Sequence, residues 1–131
     1  MKGLGVVIVA GLIGEVGDFT KFRTQSEIMK LAGLDLQDIS SGKRKGGRRI
    51  SKRGQSLLRK ILYNAAISTI RKNGILCMQY ESLIGRGMAR TSALIIIAKK
   101  LLRIIYAMVR DSRDYICNYE SPQRLMIRKA A

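Results

Sequence analysis

The sequence predicts a mainly α-helical chain that folds as one domain. Three observations carry this expectation. A length of 131 residues suits a single unit with a modest core that needs neither disulfides nor metal. One proline, Pro122, leaves most of the chain free to stay helical, which disfavours a turn-rich β plan. Apolar residues recur at three- and four-residue spacing through most of the chain.

Val6 to Val16 is apolar nearly all round and meets Gly17-Asp18, the pattern of a buried helix closed by glycine. Ser26 suits the cap of a short helix through Leu31, stopped at Gly33. Asp35 to Arg53 carries no apolar stripe and reads as a long, basic, Gly-rich loop or a short β-hairpin. The helical period returns from Gln55 to Lys72, with Leu58, Ile61, Leu62 and Ala65 on one face. Asn73-Gly74 ends it, and Ile75 to Ile84 forms another helix before Gly85-Arg86-Gly87. Thr91 to Arg110 is the clearest amphipathic element. Leu94, Ile97, Ala98, Leu101, Ile105 and Val109 form its core stripe, opposite Lys99, Lys100, Arg103 and Arg110. The expected domain thus spans 1–110, and 111–131 is expected to be a polar, frayed or partner-dependent tail.

Twenty-five Lys and Arg against nine Asp and Glu give a net charge of +16, which self-repels and calls for a polyanionic partner. Between Ile39 and Tyr80 there are eleven basic residues and no acid, so binding should centre there. Cys77 and Cys117 read as reduced thiols, and with no histidine in the chain they cannot complete a Cys/His zinc site. The missing histidine also excludes Ser-His and Cys-His nucleophile pairs. The apolar run from Leu4 to Ile13 is too short to span a bilayer and is not read as a signal peptide. A membrane role is not expected, and the location expected is cytoplasmic, at the nucleoid.

Two stretches invite chemistry. Lys2-Gly3-Leu4-Gly5 before an apolar helix can present backbone N–H groups and the positive helix end to a phosphate, although a helix-packing glycine pair explains it equally well. In "SSGKRKGGRRISKRG", Ser40 to Gly54, seven cations (Lys43, Arg44, Lys45, Arg48, Arg49, Lys52 and Arg53) lie within eleven residues, with glycines at 42, 46, 47 and 54 for close approach to a nucleic-acid strand. Aromatics are only 5% of the chain and Trp is absent, so no base-stacking platform is apparent. Ser40 and Ser41 adjoin the cations, which could stabilise an attacking oxyanion, yet residue chemistry alone favours plain turn serines. A non-enzymatic basic RNA-binding or ribosomal-type protein is the alternative.

Together, "GLGVVIVAGLIGEVGDFTKF", "KLAGLDLQDISSG" and "RRISKRGQSLLRKIL" resemble the C-terminal domain of the DEDD insertion-sequence transposases, which include pilin-gene invertases and bridge-RNA-guided recombinases. The resemblance runs from about Gly3 to Val109. It implies a helix-hairpin-helix-like start at Gly3 and Gly5, and DNA strand cleavage and rejoining through a phosphoserine link. The motif serine before glycine corresponds to Ser41, with Ser40 as fallback, and the nucleic-acid contacts to Lys43–Arg53 and Arg59. It further implies DNA as partner, a guide RNA as a further candidate, a homo-oligomer in the intact protein, and Mg²⁺ held by a separate RuvC-like domain. Lys2, Leu36 and Gln55 depart from residues common in the family. With no RuvC-like segment ahead of Gly3, the chain reads as an excised or truncated part that does not recombine DNA alone.

Overall fold

Helix α5, Arg90–Arg110, is the hub against which α2, α3, α4 and a 3-10 turn all pack. The structure is a computed structural model that describes residues 4–41, 44–71 and 74–116, with the backbone alone at 36–41 and 44–49. In chain order the elements are α1 Val6–Val16, a 3-10 turn Phe19–Lys21, α2 Gln25–Leu31, β1 Leu36–Ser41, β2 Arg44–Ile50, α3 Ser56–Thr69, α4 Cys77–Gly85 and α5. The domain is mainly helical, and the two strands form one antiparallel ribbon. Among the described residues no helix is long and apolar enough to cross a membrane.

Packing explains why α5 is central. Leu94, Ala98, Leu102 and Tyr106 repeat every four residues, and Ala93, Ile97 and Leu101 widen the same face; all seven are buried. Helix α3 answers with Leu58, Leu62, Ala65 and Ala66, whose small alanines permit close approach of the two helix axes. Each fully buried Leu or Ile contributes about 1.5–3 kcal/mol relative to exposure. The buried Tyr106 places its hydroxyl 2.7 Å from the carbonyl of Phe22, which ties α5 to the strand of chain leading into α2. The expected stripe therefore shifts: Ile105 is half-buried and Val109 exposed, because both line an open apolar groove shared with α1 and the 3-10 turn.

Other expectations change for identifiable reasons. Helix α2 is capped by Thr24, not Ser26: Thr24 Oγ1 accepts from Glu27 N, while Glu27 Oε2 accepts from Arg23 N at 2.9 Å, close to a reciprocal capping box. Helix α3 stops at Thr69 rather than Lys72, since the Thr69 carbonyl receives Leu76 N and draws the buried Leu76 into the core. Helix α4 consequently starts at Cys77. Helix α1 has its expected bounds but is not a buried helix. Only Leu12 and Val16 are buried, with Gly11 against Ile61 of α3, whereas Val6 and Val7 are each 85% exposed. No described element covers that outer face.

Two substitutions check this packing. Tyr106→Phe leaves the Phe22 carbonyl without its donor and should lower stability by about 1–2 kcal/mol, read as a lower urea midpoint at unchanged slope. Gly14→Ala meets nothing within 4 Å in an exposed helix interior. It should raise stability by up to about 1 kcal/mol in the same titration.

Candidate nucleic-acid interface

The basic ribbon is rooted in the C-terminal end of α2. Gly33 takes φ +63, which lets its own N–H bond to Lys30 O at 2.9 Å and Leu34 N to Met29 O at 3.1 Å. This is a Schellman ending, sealed by the buried pair Met29 and Leu34, and it is what Ala32-Gly33-Leu34 encodes. The carbonyls still open there are taken by chain returning from β2: Leu31 O by Gln55 N at 2.8 Å, Ala32 O by Arg59 Nη1 at 3.1 Å, Gly33 O by Lys52 N at 3.1 Å. Asp35 O accepts from Ser51 N at 2.7 Å. At Gly54 a side chain would sit 2.3 Å from Leu31 O and 2.5 Å from Gly33 N, so only glycine fits. Gly54, read from sequence as freedom for a nucleic-acid strand, thus serves this internal contact, and the half-buried Arg59 has a carbonyl partner. Lys52 and Arg53 flank the contact with exposed side chains, Lys52 at φ +53.

Within the ribbon, Leu36 pairs with Ile50, Gln37 with Arg49 and Asp38 with Arg48; beyond an irregularity, Ser40 pairs with Lys45 and Ser41 with Arg44. Across that irregularity β1 has Ile39 alone, while β2 has Gly46 and Gly47, the two-against-one count of a β-bulge. Both candidate nucleophiles therefore lie at the far end of the ribbon, in register with cations. Gly3 and Lys43 lie outside the described residues, as does Cys117. Gly5 is the N-cap of α1, with φ −75 and no side chain to accept from the first-turn N–H groups. At its α4 site Cys77 is a free thiol whose Sγ lies 3.4 Å from Glu81 Oε1; burial first, then that carboxylate, push its pKa up and away from reactivity. Among the described residues no three of His, Cys, Asp or Glu come together as a metal site.

Two concavities adjoin these elements. One, of about 130 Å³, is lined by Gln25, Ser26, Met29, Leu34, Asp35, Lys99 and Arg103. Burial lowers the Lys99 pKa, opposed by Asp35 and reinforced by Arg103. Lys99 belongs to the face of α5 that its pattern assigns to solvent or phosphate; tertiary packing half-buries it, and the exposed Lys100 donates to Gln79 Oε1 of α4. The other, of about 490 Å³, is an apolar groove of α1, the 3-10 turn and α5, including Leu4, Ile13 and Met108.

Residues 1–81 match the profile of the Transposase IS116/IS110/IS902 family. The insertion element IS110 43.6 kDa protein of Streptomyces coelicolor is 30% identical over 115 residues, which cover 88% of this chain and 28% of that protein. The insertion element IS116 44.8 kDa protein of Streptomyces clavuligerus is 29% identical over 86% of this chain and 28% of its own length. A transposase for insertion sequence element IS1111A from Coxiella burnetii is 30% identical over 89% of this chain and 33% of its own. The chain thus spans about a third or less of the curated relatives it matches.

Because Gly54 faces backbone on both sides, Gly54→Ala should destabilise the domain by about 2–4 kcal/mol in thermal or urea unfolding. Arg59→Met should cost about 1–2 kcal/mol through the lost bond to Ala32 O.

Proposed function

Since this chain belongs to the IS116/IS110/IS902 family of transposases, we propose that it is the nucleophile-bearing, DNA-engaging part of such an enzyme. The observation that carries the reading is the ribbon register: Ser41 opposite Arg44 and Ser40 opposite Lys45, on a strand pair anchored at its other end to α2. Anchoring matters because a nucleophile is useful only when its approach to phosphorus is constrained.

In this reading the Ser41 hydroxyl oxygen bonds to the scissile phosphorus and the bond from phosphorus to one sugar oxygen breaks. That oxygen leaves with the electron pair and takes up a proton, while the serine proton passes to a base outside this chain's described residues. The phosphodiester energy is kept in the serine ester, so a second sugar hydroxyl can reverse the step and rejoin strands with no external energy source. Arg44, Lys45, Arg48, Arg49, Lys52 and Arg53 hold the DNA phosphates and offset charge growing on the transferred group. Among the described residues no three possible ligands come together as a metal site, so the Mg²⁺ that the resemblance implies stays part of the proposal for the intact enzyme. Family membership favours this reading over a ribosomal-type protein. A homo-oligomer and a guide RNA belong to the same proposal for the intact enzyme.

The check is an end-labelled DNA cleavage assay on an intact transposase carrying this segment. Ser41→Ala should abolish the covalent protein–DNA adduct and reduce cleavage by about 10³-fold or more. Mapping the adduct to Ser40 would move the assignment by one residue, and undiminished cleavage by both alanine variants would end it.

A further inference from the structure

We propose that the cleft between α2, the root of the ribbon and α5 is a second binding site for a nucleic-acid backbone phosphate, with Lys99 and Arg103 as its cations. The inference rests on the nucleic-acid reading above but uses different residues. Lys99 and Arg103 are four apart on α5 and hence neighbours on one row, where like charges repel. Helix α5 carries no acid to relieve them, and Asp35 is the sole carboxylate among the residues lining the cleft. One carboxylate against two cations leaves an excess positive charge beside the half-buried Lys99, with Asp35 and Arg103 exposed to solvent. Asp35 accounts for retaining Lys99; it does not account for Arg103 beside it.

The rest of the lining suits the same ligand. Gln25 and Ser26 bring neutral hydrogen-bonding groups, and Met29 and Leu34 are apolar residues beneath them that strengthen electrostatics locally. A volume of about 130 Å³ admits a phosphate with accompanying water. Placement supplies the second strand of support. Asp35 immediately precedes β1, its carbonyl is bonded by Ser51 N, and Lys52 N bonds the nearby Gly33 carbonyl. The cleft thus sits at the root of the ribbon whose far end carries Ser41. At about 3.3 Å per residue, the six steps from Asp35 to Ser41 span roughly 20 Å, about six nucleotides of one duplex strand. Contacts so far apart should act additively.

The test uses the 131-residue chain and fluorescence anisotropy with a labelled mixed-sequence DNA duplex and a labelled single-stranded RNA, each titrated across salt concentration. The double variant Lys99→Gln/Arg103→Gln should flatten the log-log salt slope by about two and weaken low-salt binding about tenfold or more. The equal charge loss in Arg86→Gln/Arg90→Gln, both exposed where α4 ends and α5 begins and both outside the acid-free segment, should change the slope less. The swap Lys99→Arg/Arg103→Lys should keep the wild-type slope, which separates charge from packing. A flattened slope with DNA alone, RNA alone or both supports the site and names its strand. An unchanged slope with both, or a loss no larger than that of the control pair, overturns it. Arg48→Gln/Arg49→Gln runs in parallel: binding lost there but intact in the α5 variant sinks the cleft alone, and the reverse sinks the ribbon's role alone.

Discussion

The carbonyl oxygens at the end of α2 meet backbone that returns from beyond the ribbon, at a separation that excludes any side chain at position 54. A helix end leaves several C=O groups without intrahelical partners, and here Leu31, Ala32 and Gly33 all receive donors from residues 52–59. That one contact closes the loop formed by 34–51, so the ribbon has a fixed root although its own pairing is only two strands wide. Two-stranded ribbons are marginal alone in water, and this one borrows its stability from α2 and α3.

Charge is handled by distance from the core. Within the acid-free segment the described side chains of Lys52, Arg53, Lys60 and Arg71 are exposed, where solvent and salt screen repulsion. The hub helix α5 does the opposite on one row, holding Lys99 half-buried near Asp35 with Arg103 one turn on. Elsewhere the charges on that helix are ordinary: Arg110 pairs with Asp111 at 2.8 Å at the surface, worth little. On the other side of α5 lies an apolar groove shared with α1, whose outer valines are open to solvent among the described residues.

Local pattern was enough to place the helices. Val6–Val16 has the bounds its apolar run and closing glycine indicate, and α5 differs from expectation by one residue at its start. These are consequences of spacing and of glycine's access to positive φ, which act within a few residues. The ordered motifs point to the family that the profile match establishes, and the basic, acid-free stretch at residues 39–80 is what nominates a candidate interface. Nothing local could show that Gly54 meets α2 rather than a ligand, that Arg59 reaches the Ala32 carbonyl, or that α1 exposes the valines that made it look buried. Those outcomes depend on which elements pack together. The register that sets Ser41 against Arg44 belongs to the same class, since strand pairing is a relation between two segments that neither contains. Hydrophobic period, turn chemistry and net charge are properties of neighbouring residues and were therefore readable from the chain. Burial, partner choice and the meeting of Asp35 with Lys99 and Arg103 arise from contacts across long sequence separations, and only the folded arrangement decides them.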